Sequence, residues 1–296
     1  MNRTATWTRI GTDVSGTTTI DQLLDEAGLN YTVHKEPMFL ANGTEIKGKV
    51  STVKDDGTPI GVVSEKYSIY QNQDAFGFIG DIPDIKFVRA GETHNGMVYV
   101  IGQLPNLTVM DDTFTPYVIF QNSHNGLFQV KATICPLRIV CQNQFAYSFK
   151  QVRNTISIQH SKQLPTKVAQ AQRLITDAAA YMNGFTNTAE ELAQLRVTET
   201  DRYAIMDAFF ESTRELTERQ QAMLEEQRAF FNRCYEADDN GNFRGTAWGM
   251  VNAFTDFTTH KEVKATAHSN DSKFMRVTFD TDAMNKFMDL IRTRVG

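Results

Sequence analysis

Near residue 165 the apolar residues of this chain change their period, and that change limits the folds open to it. Downstream, Val168, Ala171, Leu174, Ile175, Ala178, Ala179 and Met182 recur three and four positions apart, predicting one long helix from about Pro165 to about Asn183. Further helices are expected over residues 200–212 and 217–235, from a Thr246 cap to about Thr259, and over 282–294. Upstream the apolar runs are short and broken by turn residues. The expected fold class is therefore α+β: a β-rich half with short helices over residues 1–164, and a mainly helical half over 165–296 packing on it.

Local chemistry fills in the first half. Thr17-Thr18-Thr19 ahead of Ile20, with Gly28 behind Ala27, reads as a short capped helix. A second short helix is expected over 73–79, capped by Asn72. Strands are expected at 45–53, 59–64, 85–90, 97–103, 117–122 and 127–134, with hairpin turns at Asp56-Gly57 and Asn125-Gly126.

Composition matters mainly through charge. The chain of 296 residues is 41% hydrophobic with 20 Phe, enough for a sizeable core, and its net charge is −5. Residues 113 to 176 nevertheless contain no Asp or Glu and carry Lys131, Arg138, Lys150, Arg153, Lys162, Lys167 and Arg173. That window is +7, so the other 232 residues sum to −12. Such segregation is the layout of a local site for a polyanion on an otherwise acidic protein. The plainer reading is a β-rich core segment poor in charge.

Within the window, Gln142-Asn143-Gln144 places three amides after an apolar run, able to bond bases, phosphates or backbone. A helix from Phe145 would bury Phe145, Phe149 and Val152 and turn Tyr147, Lys150, Arg153 and Asn154 outward; a strand would put Phe145, Tyr147, Phe149 and Arg153 on one face. The helix is the favoured reading. Farther on, Trp248, Asn252 and Thr255 or Asp256 share a helical face among small residues, either a ligand surface or a tight packing seam. The nucleic-acid-binding set is then Lys131, Arg138, Gln142, Asn143, Tyr147, Lys150, Arg153, Lys162, Lys167 and Trp248. Its cations would neutralise phosphates, and Tyr147 and Trp248 would stack on bases.

Signals for catalysis are weaker. Cys141 with His124 or His160 has the residue types of thiol chemistry, but its apolar flanks suit a buried thiol. The six histidines show no HxH or HExxH spacing, so no His-based metal site is expected. Asp111-Asp112 and Asp280 with Asp282 are the acidic pairs a metal-dependent nuclease could use, though helix capping explains the second pair as well. There is no glycine-rich phosphate loop, and no cofactor is expected. Cys135, Cys141 and Cys234 lack CxxC spacing, as free thiols of a reducing cytoplasm would. The first residues lack the apolar core of a signal peptide and no run is long enough to span a membrane, so a cytoplasmic location without membrane contact is expected.

Five strings occur in a telling order: Tyr70-Gln71-Asn72 with Ala75-Phe76, Asn122-Ser123-His124-Asn125-Gly126, residues 136–143, Ile156-Ser157-Ile158-Gln159-His160-Ser161, and residues 245–260. Together they resemble the phage/plasmid-like protein family, a domain of unknown function carried by prophages and plasmids. The resemblance runs from about Gly11 to His260. It implies a mobile-element origin and supplies no catalytic residue. Phe145, Tyr147 and Phe149 depart from it, standing where aliphatic residues are expected. In architecture and charge layout the chain is also analogous to phage single-strand annealing proteins. The expectation is a phage or prophage protein that binds single-stranded DNA, anneals complementary strands and forms a homo-oligomeric ring or filament. Its alternatives are a metal-dependent nuclease and a non-catalytic phage protein that binds a host or assembly partner.

Overall fold

A computed structural model describes residues 4–140, 142–146, 154–157, 167–212, 214–262 and 265–296. In chain order its elements are β1 (Thr12–Asp13), α1 (Ile20–Glu26), β2 (Val33–Phe39), β3 (Glu45–Lys54), β4 (Pro59–Ser64), α2 (Asn72–Phe76), β5 (Lys86–Glu92), β6 (Met97–Gln103), β7 (Leu107–Val109), β8 (Asp112–Ser123), β9 (Lys131–Arg138), β10 (Asn143–Gln144) and β11 (Thr155–Ser157). The helices α3 (Lys167–Gln194), α4 (Glu199–Phe210), α5 (Glu218–Tyr235), α6 (Ala247–His260), α7 (Ser269–Phe279) and α8 (Asp282–Val295) follow. The fold class is α+β, with a β-rich first half and a helical second half.

Two antiparallel sheets form the first half. The smaller has the order β2-β3-β4; the larger runs β1-β5-β6-β8-β9-β10, with β7 beside β8 and β11 beside β9. The Asp56-Gly57 turn forms between β3 and β4, with Gly57 at φ +86°, open to glycine at little steric cost; Asn125-Gly126, with Gly126 at φ +77°, lies instead within a longer loop, 124–130, that joins β8 to β9. In the β8–β9 pair Pro116 stands opposite Pro136, and their carbonyls accept outward from Leu104 N–H and Phe145 N–H. Neither missing N–H is therefore taken from the ladder between those two strands.

The larger sheet is covered on both faces, which explains its long apolar strands. Side chains of β6 alternate. Val98 and Val100 join Val118, Phe120 and Ala132 against α1, α2 and Leu174 of α3. Met97, Tyr99 and Ile101 join Ile119, Cys135 and Leu137 against Trp7, Ile10 and Phe274 of α7. A third core unites Phe114, Ile134 and Phe145 with α3, α4, α5, α6 and α8, so the helical half docks on one end of the sheet. Helix α6 runs through the middle of this core, and a Cβ at Gly249 would overlap the carbonyl oxygen of Phe243.

Several local expectations change. Helix α3 continues to Gln194, because Phe185, Ala189 and Leu192 extend its buried stripe beyond Gly184. Strand β9 starts at Lys131, four residues later than expected, and runs on to Arg138. Phe145 follows the short strand β10 and is buried beside Phe114 and Phe185; neither it nor Ala146 is helical, and the rest of the helix expected there lies outside the described residues. Asn72 does not cap α2: its amide donates to Leu29 O at 3.0 Å and serves a buried network instead. Helix α7 carries its apolar residues, Phe274, Met275, Val277 and Phe279, only in its second half, too few to read as a helix without the sheet beneath it.

Candidate nucleic-acid interface

Three of the six described members of the expected binding set, Arg138, Asn143 and Trp248, point inward. Arg138 is 3% exposed; its Nε and Nη2 both reach Asp112 Oδ2 at 2.8 Å, and Nη2 donates to Asp239 O at 2.7 Å. A guanidinium held this way ties the sheet to the 238–243 turn and is turned away from any phosphate. Trp248 is 2% exposed and lies nearly parallel to Phe145, ring centres 5.7 Å apart, so it packs a core and offers no face to a base. Asn143 is buried, its Oδ1 3.0 Å from His260 Nε2. Gln142 sits at φ +58° and donates from Nε2 to Ile139 O at 2.9 Å, closing its own turn. Lys131 stays half-buried at the start of β9, its Nζ 5.8 Å from the Phe279 ring centre. Lys167 is the first residue of α3. Tyr147, Lys150, Arg153 and Lys162, like Cys141, Phe149, Val152 and His160, lie outside the described residues.

The run of amides stitches protein to protein. Gln144 Oε1 accepts from Thr6 N at 2.7 Å and from Thr6 Oγ1 at 2.6 Å, while its Nε2 donates to Thr278 Oγ1 at 3.3 Å. Its backbone N donates to Thr259 Oγ1 at 3.1 Å. Through its side chain and its backbone N–H, one residue thus joins the N-terminal segment, the sheet edge, α6 and α7. Trp248, Asn252, Asp256 and His260, four apart on α6, face this seam, and Asp256 lies 3.9 Å from His260. Among the described residues, the buried Asn252 amide and Trp248 Nε1 find no hydrogen-bond partner, an uncommon state for buried polar atoms.

A cationic surface does form, around α7 and mostly from residues outside the acid-free window. Arg9 follows from the N-terminal segment, Lys261 caps the end of α6, Lys273 and Arg276 sit on α7, and Lys131 lies against Phe279 of the same helix. Burial is the main force lowering the Lys273 ammonium pKa; repulsion from Arg9 and Arg276 adds to it and Glu262 opposes it. Burial and then Arg276 lower Lys261 in the same sense, and burial alone lowers Lys131. Among the described residues none of these five cations has a carboxylate within ion-pair distance. Beside them opens a cavity of about 180 Å³, walled by Phe209, Phe254, Phe257 and Met284 and rimmed by Lys261, Arg276, Gln144 and Asp280. That is below the ~300–1,000 Å³ of most small-molecule sites and better matched to one inserted ring than to a whole cofactor. Their positions along the chain, 9, 131, 261, 273 and 276, leave no local run of charge by which sequence reading could find them together.

A second polar cluster joins two of the five strings. Asn72 Oδ1 accepts from Asn122 Nδ2 at 3.1 Å and stands 3.0 Å from His124 Nε2, and Asn122 Nδ2 also donates to Tyr70 O at 2.8 Å. Burial, helped by the Lys54 charge, pushes His124 down to about 4, so the ring is neutral at neutral pH. Enclosed and engaged through Nε2, His124 is a structural histidine. Of the acidic pairs, Asp112 is held by Arg138, and Asp280 Oδ1 accepts from Asp282 N at 3.0 Å.

One family matches this chain, over residues 59–281: a domain of unknown function, DUF932. The chain belongs to that family. No curated protein and no solved structure matches it. The DUF932 match begins at Pro59, the first residue of β4, and ends at the N-cap of α8, so it takes in the larger sheet from β5 onward, the Asn72–His124 cluster and α7. Arg9 and the β2–β3 pair lie outside it, whereas Lys131, Lys261, Lys273 and Arg276 lie within. Among the described residues no helix is long and apolar enough to cross a membrane.

Proposed function

We propose that this DUF932 protein binds single-stranded DNA across the α7 face, as a phage- or plasmid-borne factor acting in the cytoplasm of its host. The observation that carries the reading is the gathering of Arg9, Lys131, Lys261, Lys273 and Arg276, none of them in an ion pair among the described residues, on a protein whose net charge is −5. Like charges crowd at a cost unless an anion is there to meet them, and a strand supplies one at each phosphate. The aromatic-walled cavity beside Lys261 and Arg276 offers a place for a base, so the backbone and one ring are met together. Contacts of this kind carry little sequence information. They leave most base edges free, which suits a protein that brings complementary strands together, and repeated copies in a ring or filament would align the faces of successive protomers.

The test is affinity for a fluorescent oligonucleotide over a salt series, for the wild type and for the charge reversal Lys273→Glu/Arg276→Glu. With five phosphates neutralised, affinity should fall by about two decades between ~50 and ~200 mM salt. The reversal should remove most binding while leaving the melting temperature within a few degrees of wild type. Affinity indifferent to salt, or unaffected by the reversal, would sink the proposal. Annealing is read separately, from the rate at which complementary strands pair at stoichiometric protein.

A further inference from the structure

At the N-terminal end of α7 the fold brings together two imidazoles and a carboxylate that the sequence keeps far apart. His94 lies in the turn between β5 and β6, His268 is the N-cap of α7, and Asp271 is in its first turn. His94 and Asp271 are 177 residues apart in sequence, yet His94 Nδ1 is 3.3 Å from Asp271 Oδ2. The His268 ring lies parallel to that of His94, centres 4.5 Å apart and planes at 13°. One donor atom from each of the three residues falls within 4.8 Å of the other two.

We propose that His94, His268 and Asp271 bind a divalent transition-metal ion of the zinc class. Donor chemistry selects the ion: two imidazole nitrogens and one carboxylate oxygen suit Zn²⁺ and its neighbours better than Mg²⁺ or Ca²⁺, which prefer oxygen alone. The frame is already set. Thr93 Oγ1 accepts from Met97 N at 3.1 Å and Asn125 Nδ2 donates to Asn95 O at 2.8 Å, which fixes the turn that carries His94. Phe274 packs against Tyr99 with ring centres 5.3 Å apart, which fixes α7. His94 N donates to Asp271 Oδ2 at 2.8 Å, orienting the carboxylate as an outer-shell bond does at metal sites. Ligand bonds of ~2.0–2.2 Å require the three donors to draw closer, a movement two exposed imidazoles can make by side-chain rotation. The α7 N-terminus is itself weakly positive, and the Asp271 carboxylate in its first turn offsets that charge. Three protein ligands leave a position for water or for an oxygen anion, on the same helix that carries Lys273 and Arg276.

Titration calorimetry of the metal-free protein with Zn²⁺, and the visible absorption of Co²⁺ added in its place, test this directly. One equivalent should bind saturably, with a Co²⁺ spectrum of low-symmetry coordination. His268→Ala and Asp271→Asn should each weaken the ion by at least about tenfold, and His94→Ala/His268→Ala should abolish it. Urea unfolding in chelator reports whether each variant still folds; Asp271→Asn keeps an oxygen acceptor for His94 N and serves where the alanine variants do not. No saturable equivalent in the wild type, or an equivalent that survives the double substitution, would overturn the assignment. Oligonucleotide binding measured in chelator is a separate readout, so the DNA reading and the metal site can fail independently.

Discussion

Arg138 and Asp112 form an ion pair inside the protein: guanidinium Nε and Nη2 each lie 2.8 Å from the same carboxylate oxygen, at a position 3% exposed. A cation inside a window free of acidic residues is thus answered by an acid one residue before the window opens. Arg138→Ala would leave Asp112 buried and unpaired, at a cost of about 3–5 kcal/mol in urea unfolding. Arg138→Met/Asp112→Leu should recover most of that loss, and a folded Arg138 variant should bind oligonucleotide as the wild type does.

Lys273→Ala is the gentler probe of the α7 face. Removing one phosphate contact should lower the steepness of the log affinity against log salt plot by about 0.7–0.9, without changing preference among sequences. An unchanged slope would place Lys273 away from the strand.

His124 makes stability depend on pH. Its folded value of about 4 lies below the ~6.5 of an exposed imidazole, so the unfolded chain takes up the proton first as pH falls. The contribution is complete above about pH 6.5 and is lost through the window down to about pH 4, amounting to ~3 kcal/mol. Unfolding of wild type and His124→Gln at several pH values isolates it: the variant should show the shallower decline across that window.

Cys135 should resist thiol reagents. Burial pushes its thiol up to about 12, and in the native protein almost none is thiolate at neutral pH. Mass mapping of native and urea-unfolded protein after a brief alkylation should find Cys135 labelled only in the second. Labelling at equal rates would contradict its burial on β9 against the α7 side of the sheet.

Trp248→Ala should cost about 3–5 kcal/mol through the cavity left between Phe145 and Phe185. Trp248→Phe should cost much less and leave oligonucleotide affinity unchanged. A selective loss of binding in a stable Trp248→Phe protein would return this side chain to the interface.

Local patterns carried a good part of the fold. The Thr19 and Thr246 caps and the Asp56-Gly57 turn act over a few residues, so composition and order suffice to read them. The end of α3 and the existence of α7 were not legible. Gly184 is tolerated and Phe274 suffices as an anchor only because a neighbouring surface buries what lies around them.

For the site, the sequence by itself determined the residue types: an acidic chain, a stretch of cations without acids, a run of amides and a set of ordered strings that all fall within the residues matched to DUF932. Tertiary structure decided their uses. Gln144 bonds Thr6 and Thr278, Arg138 bonds Asp112, and Asn143 meets His260 instead of a ligand. The same amide or guanidinium can serve a phosphate or the protein's own polar groups, and burial chooses between them. Arg9, Lys261, Lys273 and Arg276 became neighbours for the converse reason: only packing of α7 and the N-terminal segment against the sheet brings charges so distant in sequence within reach of one another.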